Sequence, residues 1–203
     1  MRRLFFSAIA VSFLISGLAF TGADAAAASK RPAPMAFIDP AQPACFSRSY
    51  SAAHMASHPR QTVTDIAFIY LPTQVIDGET VQHWVADGEF QSLTFFIAVR
   101  LRNGAMAPLM GAGVCQPTGG NRLACGLDED SGTFDLRTAK DGYMLENKSN
   151  FVVMPATGNY HNDSRNSTVI DRRDDHDAFL LRPSRGGLCD ARFPPRTDAA
   201  DWN

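Results

Sequence analysis

Residues 90–102 read FQSLTFFIAVRLR and form the clearest β-strand of the sequence. Apolar side chains occupy every second position, namely Leu93, Phe95, Ile97, Val99 and Leu101. Because successive side chains of a strand point to opposite faces, this alternation predicts one buried face. Phe96 interrupts the other, more polar face, and it indicates either a second packing contact or an aromatic ring turned toward a ligand.

Further segments of the same type surround this strand. The dipeptides between them readily adopt the positive φ that tight turns require, and they are Asp77-Gly78, Asp87-Gly88, Asn103-Gly104, Gly119-Gly120 and Asp141-Gly142. Strands are predicted over residues 62–71, 81–85, 93–101, 109–115, 122–127, 133–138, 143–147, 151–153 and 178–181. About seven to nine short strands with little helical periodicity predict an all-β antiparallel meander. We favour a small closed barrel over a sandwich, because closure removes exposed edges.

The N-terminus has the composition of an export signal. Arg2 and Arg3 precede an apolar run over residues 4–20, and small residues follow at Ala23 and Ala25. This arrangement predicts a signal peptide over residues 1–25 and a periplasmic or secreted protein. No later apolar run approaches the length of about 18 residues typical of a membrane helix, so we expect no membrane span in the mature chain.

The remaining chain has the length of one domain. Residues 26–43 are rich in Pro and Ala and are predicted to be an extended linker that buries little. We expect a single disulfide-bonded β domain over residues 44–192 and a polar C-terminal tail over residues 193–203. The formal net charge of −2 provides no basic surface for a phosphate backbone, so we expect no nucleic-acid partner.

Four cysteines follow the predicted signal peptide, and an oxidising compartment predicts that they form two disulfides. Three pairings are possible for four cysteines. Cys115 and Cys125 flank the turn-forming residues 117–121, so we prefer a bond between them across a hairpin. Cys45 and Cys189 would then join the start of the domain to its end. The absence of CxxC spacing argues against a metal or redox site.

A short N-terminal helix is predicted within residues 46–57, where alanines are frequent and which Pro59 follows. His54 and His58 would lie one turn apart on it, which is the spacing of two metal ligands. Met55 stands where a zinc helix has a glutamate. We therefore interpret the histidine pair as a surface or helix-end feature, and we predict no metal and no cofactor.

Two charged segments are candidate sites. Residues 128–135 concentrate carboxylates after Cys125, but their spacing does not complete a calcium loop. His176 lies among aspartates in residues 172–177, and neighbouring carboxylates favour a general base, yet no nucleophile motif accompanies it. We interpret both segments as solvated connections between strands.

The longest connection runs from Pro155 to Ser167 and is polar. Long loops in compact domains are often functional, so a binding site is expected here, at one open end of the barrel. We predict that Trp84, Tyr160 and His161 line this end and contact an apolar ligand or a partner protein. The alternative is that Trp84 is a core residue and that the loop carries no site.

Residues spread over most of the mature chain carry a resemblance: Cys45, Tyr50, Ala52-Ala53-His54, His58-Pro59, Val63-Thr64, Cys125-Gly126 and Phe179-Leu180 ahead of Cys189. In these positions the chain resembles a group of small, cysteine-containing exported bacterial proteins of unknown function. The resemblance implies a common fold and no activity, so it assigns no catalytic residue. The Gly-x-Trp motif of lipocalins, which are also small barrels, is absent.

Two classes of function remain. The first is a non-catalytic binding module, either a barrel that holds a small apolar ligand or an inhibitor-like domain that docks on an envelope protein. The second is a metal-assisted hydrolase that uses His54, His58, His161 or His176. We favour the first class, because the sequence contains a scaffold with loops but no clustered set of catalytic residue types.

Overall fold

A computed structural model of the chain describes residue 35 and residues 37–76, 79–87, 90–104, 107–128, 130–155 and 165–191. The predicted signal peptide, residues 26–34 and the predicted tail lie outside this part. The strands are β1 Ala44–Ser49, β2 Val63–Tyr70, β3 Thr73–Ile76, β4 Glu79–Gln82, β5 Trp84–Asp87, β6 Phe90–Leu101, β7 Leu109–Pro117, β8 Arg122–Leu127, β9 Gly132–Ala139, β10 Gly142–Pro155, β11 Thr168–Ile170 and β12 Ala178–Pro183. The helix α1 spans Ala52–Ser57, and two 3-10 turns span Arg172–Asp174 and Gly187–Asp190.

Eight strands close into an antiparallel barrel in the order β1, β2, β6, β7, β8, β9, β10 and β12, and β12 pairs again with β1. This confirms the predicted all-β closed barrel with a short N-terminal helix. Strands β5 and β11 extend the sheet beside β6 and β10, whereas β3 and β4 form a separate hairpin. We call the end of the barrel at which α1 follows β1 the helix end. The opposite end carries the turn between β7 and β8.

The core fills the barrel, and β6 contributes one of its main walls. Ile97 pairs with Phe68 of β2 on one side and with Gly111 of β7 on the other. The alternating side chains of β6 from Leu93 to Val99 are at most 1% exposed. Burial of each aliphatic side chain of this size stabilises the fold by about 1.5–3 kcal/mol. The predicted buried face of residues 90–102 is therefore confirmed.

A smaller cluster lies on the outer face of β2, β6 and β7. Phe96 packs there with Ile69, Met110 and Leu188, together with Ala67 and Ala98. Leu188 belongs to the 3-10 turn Gly187–Asp190, which covers this part of the sheet. Phe96 thus makes a second packing contact and is only 6% exposed, as the first of the two interpretations predicted.

Both predicted disulfides are present. Cys45 and Cys189 join β1 to the C-terminal turn, and their Cα atoms are 5.8 Å apart. Cys115 and Cys125 face each other across the β7–β8 ladder. The turn between these strands contains Gly119 with φ 93° and Gly120 with φ 61°, which other residues rarely adopt. The turn-forming residues therefore set the register that brings these two sulfur atoms together.

The predicted short helix is present and occupies only the second half of residues 46–57. Residues 46–49 belong to β1, and Phe46 points into the barrel, where its ring packs edge-on against Tyr143 at 4.9 Å. The helix itself begins at Ala52, because the Ser51 side chain accepts a hydrogen bond from the backbone N–H of His54 and caps the first turn. Alanine propensity applies only to this short segment.

The predicted linker is also partly wrong. Met35 and Ile38 are 1% and 0% exposed and belong to the main core. The Tyr70 hydroxyl donates a hydrogen bond to the Pro40 carbonyl over 2.7 Å and fixes the following turn. Apolar side chains between prolines and alanines are sufficient to dock this segment, so the compact domain includes residues that precede position 44.

Strand boundaries differ in three places. Residues 143–147 and 151–153 form the single strand β10, whose register shifts between Asn147 and Phe151 because of an irregularity around Asn150. The predicted strand 81–85 is divided at His83 into β4 and β5. The short strands β3 and β11 were not predicted, because their stability depends on strand partners that the local sequence does not show.

Candidate interaction sites of the barrel

The interior of the barrel is a packed core. Aromatic rings follow one another across it: Phe68 stacks on Phe95 at 5.1 Å, and Phe95 meets Phe134 edge-on at 5.2 Å. The side chains of the main core are 0 to 7% exposed. A cavity that accommodates a ligand would leave its lining accessible to water-sized molecules. The described core side chains therefore pack against one another, and the two described clefts lie at the ends of the barrel.

Four planar groups stack at the helix end. The guanidinium of Arg48 lies 5.0 Å from the centre of the Tyr50 ring. Tyr50 stacks on His54 at 4.5 Å, and His54 stacks on His58 at 4.0 Å with an angle of 13° between the rings. Arg102 donates hydrogen bonds to the carbonyl of Met55 in the last turn of the helix and to the carbonyl of the C-cap residue His58. The two histidines are thus held as members of a stack.

Hydrogen bonds define the orientation of these two imidazoles. His54 Nε2 donates to Gln61 Oε1 over 3.0 Å, and His58 Nδ1 donates to the His54 carbonyl over 2.9 Å. Near-parallel rings at 4.0 Å do not direct two nitrogen lone pairs toward one point, as a metal ion requires. No group of three or more metal-ligating side chains occurs within the described ranges. The interpretation of the pair as a helix-end feature therefore agrees with the geometry.

His176 connects two segments of backbone from a buried position. Its Nε2 accepts hydrogen bonds from the backbone N–H groups of Thr62 and Val63 at 3.1 and 3.3 Å, and its Nδ1 donates to the Asp171 carbonyl at 3.1 Å. These bonds fix the neutral tautomer, and burial lowers the pKa of the imidazole. A histidine with both nitrogens occupied by backbone groups positions loops and has no free nitrogen for general-base catalysis.

A polar cleft of about 530 Å³ lies at the helix end. It is lined by side chains from three separate segments, and these are Arg60, Asn150, Asp171, Arg172, Arg173, Asp175 and Asp177. Asn150 adopts φ 58° in the irregular part of β10, and its Oδ1 accepts a hydrogen bond from the Arg172 backbone N–H. This left-handed residue thereby links β10 to the 3-10 turn Arg172–Asp174 on the wall of the cleft.

Ion pairs organise the side chains of this cleft. Arg60 contacts Asp175 at 2.7 Å, although 115 residues separate them. Hydrogen bonds from the side chain and backbone of Arg173 lower the pKa of Asp171 to about 2. In both pairs the arginine is more exposed than the aspartate, at 67% against 29% and at 84% against 19%. In both pairs the guanidinium group therefore lies closer to solvent than the carboxylate. Such an arrangement of opposite charges is complementary to a protein surface that also carries both charges.

A second, less polar groove of about 480 Å³ lies at the opposite end. Its walls come from the start of β1, the end of β12 and Phe37, which is 36% exposed. Phe37 meets the Tyr143 ring edge-on at 5.6 Å. The groove thus combines an exposed aromatic edge with the backbone around Cys45.

The structure describes only part of the predicted binding site. Trp84 lies in β5 and pairs with Leu93 near the start of β6, toward the opposite end. The long loop begins after Pro155, which pairs with Leu109 at the helix end. Tyr160 and His161, together with the Trp84 side chain, lie outside what the structure describes. The start of the loop and the Trp84 backbone therefore do not share one end, and a site at Tyr160 and His161 stays a prediction.

The carboxylates of residues 128–135 do not converge on a metal site among the described positions. Asp135 instead contacts Arg122 at 3.2 Å and Lys148 at 3.4 Å on the outer face of the barrel. Lys148 also contacts Glu146 at 3.1 Å, and hydrogen bonds from Lys148 and Arg137 lower the pKa of Glu146. Cross-strand ion pairing accounts for the charge of this segment.

Sequence reasoning did not identify the helix-end cleft as a site. The mixed charges of residues 172–177 are visible in the sequence, where they favour a solvated connection, and Asp171 lies outside that segment. Arg60 and Asn150 carry no local signal, because the charged residues that they meet in the cleft are distant from them in the sequence. The sequence signal that could have indicated this cleft is the run of arginines followed by aspartates around His176.

Within the described part of the chain, no helix combines the length and the apolar character needed to cross a membrane. Comparisons with protein-family models, with curated proteins and with solved structures found no match for this chain.

Proposed function

We propose that this protein is an exported, non-catalytic interaction module that docks on another protein of the cell envelope. The observation that carries the proposal is the filled barrel, whose core side chains are 0 to 7% exposed. A barrel filled by its own side chains favours surface recognition on a rigid support over carriage of an apolar ligand. Export is supported by the N-terminal apolar segment and by two disulfides.

The described histidines support a non-catalytic role. His54 and His58 are members of a ring stack, and both nitrogens of His176 bind backbone groups. A metal-assisted hydrolase needs ligands that converge on one point and leave a position open for water. The helix-end cleft offers alternating charges, which suit a protein surface better than a small apolar molecule.

The first experiment separates the two forms of a binding module. A fluorescence titration of the disulfide-bonded protein with the lipophilic dye 1-anilinonaphthalene-8-sulfonate should show no saturable binding, because the core is already filled. Stoichiometric binding of the dye would favour a ligand carrier and contradict the proposal.

The second experiment tests docking directly. A photo-crosslinking amino acid is placed at Arg173 in the helix-end cleft, at Phe37 in the opposite groove and at Val85 in β5. Irradiation of intact cells should yield a discrete adduct from at least one position, and the adduct should disappear when unlabelled protein competes. No competed adduct from any position would reject a docking function.

A further inference from the structure

Strand β5 lies outside the closed barrel, and one of its edges has no strand partner among the described residues; we call it the open edge. It pairs with the first residues of β6, and β6 is its only strand partner in the described part of the chain. Farther along, the same side of β6 is occupied by β2. The outer edge of β2 is in turn covered by β1, which begins at Ala44 opposite Tyr70. Ala44 lies at the end of β2, so no described strand continues β1 alongside β5.

The register shows which backbone groups face this open edge. The Thr94 N–H donates to the His83 carbonyl over 2.8 Å, whereas the His83 N–H donates to Pro72. Asp87 pairs with Phe90 with two residues between them, the register at which a hairpin begins with a hydrogen-bonded pair, and this gives the same alternation as the bond from Thr94. Hydrogen-bonded and non-hydrogen-bonded pairs alternate along an antiparallel ladder. Val85 therefore bonds to β6, whereas the N–H and C=O groups of Trp84 and Ala86 point away from it. These groups form a row of donors and acceptors at strand spacing.

We propose that the open edge of β5 binds an extended segment of the partner protein by strand addition. The inference rests on the proposed docking function and names the site and the class of partner. The added strand lies where a continuation of β1 would run, and its backbone pairs with the outward groups of Trp84 and Ala86. Recognition of this kind uses main-chain hydrogen bonds for affinity and alternate side chains for specificity.

The anchoring of β5 distinguishes its edge from the other open edges. The His83 N–H donates to the Pro72 carbonyl over 3.0 Å, and the His83 ring is buried against Phe96. The start of β5 is thus fixed to the barrel before any partner binds, which lowers the entropy cost of binding. By contrast, β11 has only three residues, and β3 pairs only with β4 among the described strands. Strand β5 is itself only four residues long, so its anchoring at His83, and not its length, distinguishes it from these strands.

A proline substitution can block this edge selectively. Ala86→Pro removes an N–H that points away from β6, so the β5–β6 ladder keeps its hydrogen bonds. Thr80→Pro is the matched control on β4: because Ile76 and Glu79 flank the hairpin turn and form a hydrogen-bonded pair, the N–H of Thr80 points outward in the same way. Circular dichroism should show equal folding of both variants.

The probe is a phage-displayed library of random linear dodecapeptides selected on immobilised wild-type protein. Selected peptides, synthesised in free form, should bind Ala86→Pro at least about tenfold more weakly than wild type, since a lost hydrogen bond and a steric block act together. Thr80→Pro should retain wild-type affinity. Hydrogen exchange of the wild-type complex should slow at the amides of Trp84 and Ala86, and this readout needs no variant.

The inference is overturned if no peptide is enriched, if Ala86→Pro binds the peptides as well as wild type does, or if exchange slows only elsewhere. Peptide selection does not require the natural partner, so its failure is distinct from failure of the docking function. A competed cross-linked adduct from Arg173 or Phe37, with no peptide bound at β5, would preserve the function and reject this site.

Discussion

Strand β6 is buried on both faces, but the two faces are buried in different ways. The inner face belongs to a core that is enclosed by the barrel strands themselves. The outer face is covered by a short turn around Leu188, which a disulfide ties to β1. The inner cluster is therefore a consequence of closing the sheet, whereas the outer cluster depends on one distant tether. The two clusters should differ in how strongly the fold depends on them.

The largest effect is expected for a charge placed in the inner cluster. Ile97→Asp introduces a carboxylate at a position that is 0% exposed and lies among apolar side chains. An unpaired buried carboxylate costs several kcal/mol, which is comparable with the whole stability of a domain. We expect the variant to be unfolded or absent from the exported fraction, measured by circular dichroism and by yield.

Thr94→Asp is the matched control on the outward side of β6, where the side chain is partly exposed. This variant should fold and unfold cooperatively, because water remains able to solvate the carboxylate. Equal tolerance of aspartate at positions 94 and 97 would contradict the assignment of position 97 to the closed core and of position 94 to a part of the outer face that water reaches.

Removal of the tether should have the next largest effect. The double variant Cys45→Ala and Cys189→Ala opens a loop with a sequence separation of 144 residues. In the chain-entropy model this lowers the free energy of unfolding by about 5 kcal/mol, against about 3 kcal/mol for the short Cys115–Cys125 loop. Urea unfolding measures the loss, and we expect the outer cluster to lose amide protection before the barrel strands do.

The double variant Cys115→Ala and Cys125→Ala is the comparison for this experiment. It removes a cross-strand bond inside the main core and leaves the cover of the outer cluster attached. If both double variants unfold in one transition with the same order of amide exchange, the two clusters form a single cooperative unit.

The same contrast explains what the sequence could reveal about the fold. The inner face of β6 was visible as an alternation of apolar residues, and turn-forming residues placed the Cys115–Cys125 hairpin correctly. Met35 and Ile38 were assigned to a linker, because their burial depends on strands that follow them in the chain. Local patterns record periodicity, but they do not record which distant element will cover a side chain.

Phe95 and Phe96 are neighbours in β6, but one belongs to the inner cluster and the other to the outer cluster, so the two clusters can be compared by single substitutions. Phe95→Ala in the inner cluster should lower the free energy of unfolding by about 5 kcal/mol, since the surrounding rings cannot close the cavity. Phe96→Ala in the outer cluster should cost about 3 kcal/mol, because the cover can move inward. Urea midpoints at constant slope measure both values. A larger loss for Phe96 than for Phe95 would reverse the order proposed for the two clusters.

The candidate sites were harder to predict than the fold. In the helix-end cleft Arg60 contacts Asp175, which lies 115 residues later in the sequence. A local sequence motif cannot predict a contact of this separation. The open edge of β5 is a property of the backbone. Its outward N–H and C=O groups have no strand partner among the described residues because β1 begins, and β2 ends, before reaching β5. The sequence predicts a role for the Trp84 side chain, whereas the proposed strand addition uses the N–H and C=O groups of its backbone. Surface recognition by main-chain groups leaves little trace in residue identity.

The smallest expected effect is the dependence of the free energy of unfolding on pH that arises from His83, which packs against Phe96 of the outer cluster. This side chain is 3% exposed and lies beside Phe96, and its Nδ1 has no hydrogen-bond partner among the described residues. Burial lowers the pKa of the imidazole, while a hydrogen bond to the Leu71 backbone raises it by less. The folded protein therefore takes up this proton at lower pH than the unfolded chain does.

The sign of the effect follows from this difference in pKa. Stability from neutral His83 is fully present above the unfolded-state pKa of about 6.5 and declines as the pH falls below it, until the folded form also binds a proton. Urea midpoints measured from pH 8 to pH 5 should fall over this window. His83→Phe retains a ring beside Phe96 but does not titrate, so its midpoints should fall less steeply, and the remaining decline belongs in part to His176, whose pKa is also lowered by burial. A wild-type slope in His83→Phe would show that protonation at this position does not weaken the fold, and the outer cluster would then differ from the inner one in packing alone.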